Sequence, residues 1–497
     1  MNLEKERKIE KCLLFFPPAI TNKKLIDINP APPLGLGYIA AVLENLGVTV
    51  KIVDCLMDGW WDRKEIGSNL LRIGLSEEDI EKTIEDFSPD MVGVNNIFTR
   101  QYKYAHEIYK IAKNVDANIV TVAGGAHPTV MPEFALQDEN LDFVVIGEGE
   151  LTIEKLVKNL SKNVNEIENI DGLGYRNRDG KIIVNPKTTY IESLDSIPFP
   201  ARHLMDIKKY FGLAESHGKR RCTRFSPIMT SRGCPARCTF CTAYKVWGRK
   251  YRFRSPENVI EEMKELKYKY GIEELLIEDD CFTANPQRAE KICDLMIKEN
   301  LNLKWDTPNG VAAFALNKNL VRKMKAAGCY KINIGVESGN QQTLDNIIKK
   351  PLKLEKAEEI INYCREIGLD CGIFLILGMP GDTIKNMWDS YKFAKKVKMY
   401  SPFISVATPY PGSELYQICK EKKYIPEDFK LEDLYIRSFI IQTEDWTPNQ
   451  IKSLMRKGLI YLKFHQALND PLSFTKLVIG WLAKVCSGKA PLSPLGF

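Results

Sequence analysis

Along the first 160 residues, short apolar runs alternate with stretches whose apolar positions recur every three or four residues. "KCLLFFPP", "VTVKIVD", "DMVGVNN", "NIVTVAGG" and "DFVVIGEGE" read as strands. "GLGYIAAVLENLG", closed by Gly47, and "YAHEIYKIAKNV" carry the helical period. Strands separated by helices imply parallel pairing in an open α/β sheet, with a ligand expected at the glycine-ended C-terminal strand ends. Over 166–224 the pattern breaks: "GYRNRDGKIIVNPKTTY" predicts a hairpin around Asp179-Gly180, and "SIPFPARHLMD" a proline-punctuated linker. "HGKRRCTRF" reads either as solvated linker or as one wall of an anionic-ligand site. The alternation then resumes, with strands expected at 226–232, 274–279, 303–308, 331–336, 371–377 and 403–408. Between them lie helices such as "SPENVIEEMKELKYKYG", where Ser255 caps and Pro256 opens the first turn. Six β/α units over 225–425 predict a partial barrel working at its C-terminal strand ends. From 426 to 497 a small helical region is expected, amphipathic in "SLMRKGLIYLKFHQAL" and apolar in "LVIGWLAKVC".

Composition narrows this picture in few places. A chain of 497 residues, 44% hydrophobic and 27% charged, folds into more than one core. Its 70 Lys and Arg against 64 Asp and Glu are too mild an excess for a nucleic-acid footprint, but suit anionic small molecules or an acidic surface. The N-terminal stretch lacks the apolar core of a secretory signal, and no run reaches the roughly 20 apolar residues of a membrane span. Thirteen scattered cysteines, an odd number, do not form a disulfide framework. A reducing cytoplasm is the expected compartment, and peripheral contact with a membrane stays open.

The sharpest chemistry is in "SRGCPARCTFC", where Cys234, Cys238 and Cys241 follow the first strand of the second half. Chance gives this spacing in about one such chain in a hundred. Structural zinc wants a fourth ligand, for which Cys222 and Cys281 are the remote candidates. A [4Fe–4S] cluster held by three thiolates instead leaves one iron open, which means catalysis rather than structure.

CxxxCxxC with Phe240 before the last cysteine resembles the radical S-adenosylmethionine (SAM) superfamily. The likeness runs on through "LLIEDDCFTAN", "INIGVESGN", "FLILGMPGDT" and "ATPYPGS", each at an expected strand end. It implies that Cys234, Cys238 and Cys241 hold the cluster. It also implies that Asp279 and Asp280 meet the SAM amino group, and that Glu337 and Ser338 face its ribose and carboxylate. Gly378, Thr408 and Pro409 would flank the adenine, with Phe240 beside the cluster. The plainer readings are that Asp279, Asp280 and Ser338 cap the helices that follow, and that Gly378 and Gly381 serve only a tight turn.

The first half lacks GxGxxG; "PPLGLGYIAA" supplies only Gly35-Leu36-Gly37. "VGVNNIFTRQ", "VAGGAHPT" and "IGEGE" resemble instead the Rossmann-like cobalamin-binding domains carried by one radical SAM branch. That resemblance, covering residues 10 to 425, makes residues 1–165 the cobalamin domain. It makes Asn95, Asn96, Thr99, Gly124, Gly125, His127, Pro128, Thr129, Gly147 and Glu148 its contacts. The DxHxxG histidine of classical cobalamin domains is missing from "PPAITNKKLIDINPAPPLGLG", so cobalt is expected without a protein histidine. A domain that has lost cobalamin is the alternative.

The expected fold is therefore α/β: a Rossmann-like cobalamin domain, a 166–224 linker with its hairpin, a partial (β/α)6 radical SAM barrel and helical residues 426–497. The expected function is C-methylation of an unactivated carbon through methylcobalamin, after reductive SAM cleavage to a 5′-deoxyadenosyl radical. Alternatives are a non-methylating oxidative cyclase or rearrangement enzyme like the anaerobic tetrapyrrole cyclase, and a non-catalytic corrinoid- or SAM-responsive protein. A methylthiotransferase would need a second cysteine-bound cluster where only Cys12 and Cys55 stand. The expected partners are a small-molecule substrate and an electron donor such as flavodoxin or ferredoxin, without nucleic acid. "FTKLVIGWLAKVC" and "MYSPFISVATPYPG" read either as favouring an apolar substrate, a lipid or tetrapyrrole, or as simple packing of the tail.

Overall fold

The computed structural model describes residues 6–23, 28, 30–66, 70–162, 164–213, 220–435 and 437–486. Its contacts divide the chain into two units. One holds Met1–Pro235, Thr242–Asn309 and Ala326–Gly328; the other holds Ala236–Cys241, Gly310–Lys325 and Cys329–Phe497.

A seven-stranded sheet organises the first unit: β1 (Lys11–Phe16), β2 (Thr49–Asp54), β3 (Met91–Asn95), β4 (Val120–Gly124), β5 (Phe143–Val145), β6 (Leu173–Arg176) and β7 (Ile182–Val184). Their order is β7-β6-β5-β4-β3-β1-β2. The pairs among β1 to β5 are parallel, and β6 and β7 add on antiparallel. Strand β3 is buried at all five positions, as a strand covered on both faces must be. Alternate residues go to opposite cores: Cys12, Leu14 and Met91 to one, Leu13, Phe15 and Val92 to the other. The chain leaves β1 for β2 on one side and returns to β3 on the other, so a topological switch point lies between β1 and β3.

Two features depart from the expected organisation. The hairpin assigned to a linker continues this sheet, because Leu173 and Tyr175 are buried in the same core as Phe143. An antiparallel sheet of Ala19–Asn22, Arg63–Glu65 and Leu70–Ile73 was not anticipated. Its edge strand "RKE", paired to Leu70–Ile73, has three exposed residues and no apolar alternation to announce a strand.

Further along, the first unit contains β8 (Phe225–Ile228) parallel to β9 (Glu274–Ile277), and β9 parallel to the start of β10 (Lys304–Val311). Between β8 and β9 runs the helix Pro256–Tyr270, started by Ser255 accepting from Asn258 N and stopped by left-handed Gly271. In the second unit β11 (Cys329–Glu337), β12 (Asp370–Leu377) and β13 (Phe403–Val406) are parallel in that order. The expected helical tail begins late. Residues 425–435 and 437–447 are largely irregular, Trp446 being buried with Nε1 donating to the Asp382 carbonyl at 3.1 Å. The helix starts only at Pro448, where Thr447 and Gln450 form a capping box.

Candidate functional site

The C-terminal ends of β3 and β4 form a polar floor. Asn96 N donates to the Gly124 carbonyl (2.8 Å) and His127 N to the Asn96 carbonyl (3.1 Å), lacing the two loops together. Gly125 has φ +101°, and a Cβ there would lie 2.6 Å from both Asn95 Oδ1 and the Asn96 carbonyl. A Cβ on Gly124 would meet nothing within 4 Å, so open space lies over that strand end. Gly35, at the start of the helix Leu34–Asn45, comes close to Asn95 Nδ2. Thr129 Oγ1 donates to the Gly125 carbonyl (2.8 Å) and accepts from Gly147 N (2.9 Å), which draws in the loop after β5. Pro128 is buried beside it.

Three buried atoms in this floor have no hydrogen-bond partner: Asn96 Oδ1, Gln101 Oε1 and His127 Nε2. The other ring nitrogen of His127 is within 3.2 Å of Thr99 Oγ1. Burial pushes the His127 pKa down to about 4, so the ring is neutral at ordinary pH. Unsatisfied buried polar atoms cost roughly 1–3 kcal/mol each. Such atoms, on Asn96 and His127 beside a Gly-Gly cradle and on Gln101 in the turn after Asn96, fit a polar ligand that brings its own donors and acceptors. The corrinoid nucleotide tail is such a group.

The neighbouring "IGEGE" loop is arranged in the opposite way. Glu148, expected as a cobalamin contact, is 1% exposed, and both its oxygens are taken. Oε1 accepts from Arg232 (3.1 Å) and Arg252 (2.6 Å), and Oε2 accepts from Ile191 N (3.0 Å). Arg232 also reaches Glu150 at 2.5 Å, and Arg252 reaches the carbonyls of Ile191 and Trp247. Although burial works against it, Arg232 holds the Glu150 carboxyl below its usual range. Arg232 and Arg252 face each other in the two-residue antiparallel bridge Ser231–Arg232/Arg252–Phe253. That bridge closes the stem of the segment carrying Cys234, Cys238 and Cys241. Glu148 therefore grips the stem of the cysteine loop.

The loop itself is tightly tailored. Gly233 has φ +83°, and a Cβ there would come within 2.5 Å of the Lys250 carbonyl. Cys234, Cys238, Cys241 and Phe240 are half-buried. Cys241 N donates to the Cys238 carbonyl (3.1 Å). Thr239 N donates to the Ile348 carbonyl (3.0 Å), and Leu415 N donates to the Thr239 carbonyl (2.8 Å). Among the described residues, no three His, Cys, Asp or Glu side chains gather tightly enough for a single metal ion. The thiolates of a four-iron cluster stand farther apart than the ligands of one ion, and three half-buried thiols on one short loop are a donor set such a cluster accepts.

Asp279 and Asp280 separate by partner. Asp279 is buried, and its oxygens accept from Thr230 N (2.5 Å), Thr230 Oγ1 (2.6 Å) and Ser231 Oγ (2.5 Å). Those bonds tie the end of β9 to the strand leading into the cysteine loop. Asp280 takes none of these donors, and burial, with Cys234 and Asp279 nearby, pushes its carboxyl up to about 7. Neither caps the next helix; Asn285 does, accepting from Arg288 N at 3.0 Å. In "HGKRRCTRF", Arg221 N and Cys222 N donate to Glu274 Oε2, so the described part is tied to β9; residues 217–219 lie outside the described residues.

In the second unit, Glu337 ends β11 just past a bulge, with φ +63° and Oε1 accepting from Lys350 (2.9 Å). A left-handed non-glycine residue costs on the order of 1 kcal/mol or more, and such strain gathers at functional sites. Ser338 is buried and accepts from Asn340 N (3.2 Å); Asn340, not Ser338, accepts from Thr343 N (3.1 Å) at the following helical turn. Gly378 has φ +78° and Gly381 +87°. Thr408 and Pro409 are buried, and Thr408 Oγ1 donates to the Tyr435 carbonyl at 2.9 Å. Arg232, Arg252, Glu150, Gln101 and Lys350 escaped the sequence reading. Nothing in their local strings sets a buried arginine or an unsatisfied glutamine apart from surface ones.

The sequence matches the radical SAM superfamily over residues 228–394 and the B12 binding domain over residues 29–157. It is 35% identical over 481 residues to the cytidylyl-2-hydroxyethylphosphonate methyltransferase of Streptomyces wedmorensis, covering 91% of this chain and 89% of that one. With the anaerobic magnesium-protoporphyrin IX monomethyl ester cyclase of Rubrivivax gelatinosus it shares 28% over 395 residues, 79% and 67% of the two chains. The cobalamin-dependent SAM radical enzyme OxsB, solved with aqua-cobalamin and SAM bound, has the same fold at TM-score 0.71. Its identity is 18%, over 97% of this chain and 71% of OxsB.

Fold and matches together define a radical SAM protein with an N-terminal B12-binding domain. The chain belongs to the family of cobalamin-dependent radical SAM methyltransferases, whose cofactors are a [4Fe–4S] cluster, SAM and cobalamin.

Proposed function

We propose that this chain methylates an unactivated carbon of a small molecule, with Cys234, Cys238 and Cys241 holding the cluster and the polar floor holding cobalamin. The observation that carries the reading is the Gly124-Gly125 cradle together with the partnerless buried atoms of Asn96, Gln101 and His127, in the chain that also carries the three-thiol loop. When bound, the cluster and SAM supply a carbon-centred radical and the corrinoid supplies a methyl group, chemistry that no side-chain acid or base provides.

The protein's own residues bind, orient and shield. Asp280 takes the SAM ammonium, since Asp279 is spent on Thr230 and Ser231. Glu337, held in its strained conformation by the bulge and Lys350, and Ser338 take the ribose and carboxylate. Gly378, Thr408 and Pro409 border the adenine through their backbone, and Phe240 shields the cluster. Asn95, Asn96, Thr99, Gln101, His127 and Thr129 would hold the nucleotide tail, with Gly147 bonded to Thr129 at its border. Cobalt would go without a protein histidine, because "PPAITNKKLIDINPAPPLGLG", the interval before and into the first helix, contains none. The reducing electron comes from a flavodoxin- or ferredoxin-like donor, in a reducing cytoplasm.

The test is 5′-deoxyadenosine release from reduced, reconstituted protein with SAM. The reading predicts release by the native chain and none by Cys234→Ala. Equal release by the two would overturn the ligand assignment.

A further inference from the structure

The net charge of this chain is concentrated in one place. Residues 447–497 contain seven Lys and Arg and one acidic residue, Asp470. The other 446 residues carry 63 basic and 63 acidic side chains, so the whole net charge of +6 sits in this stretch. The described part forms two helices, Pro448–Asn469 and Pro471–Cys486.

The first helix has a well-built inner face. Ile451, Leu454, Met455 and Leu462 are buried, and Gly458 lies against the Tyr391 ring so closely that a Cβ there would clash. Trp388 meets Tyr461 at 5.4 Å between ring centroids. The C-terminal half of its outer face is largely apolar, where the outer face of a surface helix is ordinarily polar. Ile460, Phe464 and Leu468 form an i, i+4, i+8 row, 50%, 61% and 62% exposed. Leu472 (78%), Leu477 and Ile479 (61%) extend the exposed apolar surface on the second helix. On the first helix's outer side, Lys452, Arg456 and Lys457 are exposed one to two turns before this row, and Lys476 is exposed on the second.

An apolar row beside a one-signed basic cluster is what an interfacial helix presents to anionic lipid: apolar side chains enter the acyl boundary and cations meet the headgroups. Among the described residues, no helix is long and apolar enough to cross a membrane, so the geometry is one of lying on the surface. A second copy of the chain would bring the same positive charge to the same face, and like charges oppose that pairing. We propose that the helices Pro448–Asn469 and Pro471–Cys486 dock this enzyme on an anionic lipid surface, with Ile460, Phe464, Leu468 and Leu472 inserted. This docking is independent of the chemistry proposed above.

The test is flotation of the full-length holoenzyme with vesicles of phosphatidylcholine alone or mixed equally with phosphatidylglycerol. The proposal predicts binding to the mixed vesicles only, weakened by salt. Each basic residue near such a surface contributes about 1 kcal/mol. Replacing Lys452, Arg456 and Lys457 together by Gln should therefore lower partitioning about a hundredfold. Phe464→Ser with Leu468→Ser should also detach the protein, and both variants should keep native 5′-deoxyadenosine release. Absence of binding, or equal binding to both vesicles, overturns the proposal. So does a concentration-dependent dimer in light scattering that Phe464→Ser with Leu468→Ser dissociates, since a second copy would then be what covers the row.

Discussion

Two loops lie next to each other in the first unit and differ in one physical respect. The floor at the ends of β3 and β4 keeps three buried polar atoms without partners, whereas the "IGEGE" loop satisfies both oxygens of Glu148 and ties Glu150 to Arg232. An unsatisfied buried group is stability withheld until a ligand arrives; a saturated one fixes geometry and has little left to offer a ligand. The contrast leaves hydrogen-bonding capacity for a ligand at Asn96, Gln101 and His127, and ties Glu148 to the stem of the cysteine loop.

The largest effect should come from breaking the saturated loop. Arg232→Ala leaves Glu148 and Glu150 buried with a lost partner and should cost about 3–5 kcal/mol in urea unfolding. A loss below about 1 kcal/mol would mean the network is not what holds the stem.

Acid sharpens the other side. His127 has a folded pKa of about 4, below the unfolded value, so the unfolded chain binds the extra proton between the two. Stability conferred by the neutral ring is complete above about pH 6.5 and is lost as pH falls toward 4, to an extent of about 3 kcal/mol. Urea midpoints against pH should fall in that window for the native chain and stay flatter for His127→Gln.

Gly125→Ala forces a side chain into left-handed backbone against the Asn96 carbonyl, and should cost about 1–3 kcal/mol together with cobalamin retention. The smallest stability change should come from Gln101→Leu. Removing an unsatisfied acceptor should leave the cobalamin-free chain within about 1 kcal/mol of native while weakening cobalamin about tenfold. A Gln101→Leu chain that unfolds readily yet binds cobalamin normally would invert the comparison.

Much of this organisation was legible before the structure. Apolar strands alternating with helical periods pointed to the first sheet, and three thiols at one spacing pointed to an open iron. Partner choice was not legible. Asp279 and Asp280 are adjacent and chemically equal in the sequence, and only Thr230 and Ser231 reveal which is occupied. Glu148 read as a cobalamin contact because arginines 84 and 104 positions away leave no local trace. The "RKE" strand stayed hidden because it pairs through backbone without burying a face. The tail's late start, by contrast, has a local signal in "TPNQ", where Thr447 and Gln450 form the capping box and Pro448 opens the first turn.

The most direct test of radical methylation uses SAM deuterated in its methyl group. Reduced holoenzyme would be incubated with small-molecule extract from cells lacking the chain, and the products read by mass spectrometry. The account predicts a product carrying the labelled methyl, with one 5′-deoxyadenosine formed per methyl transferred. A product that lost two hydrogens and gained no label would contradict it and assign the chain to oxidative cyclisation.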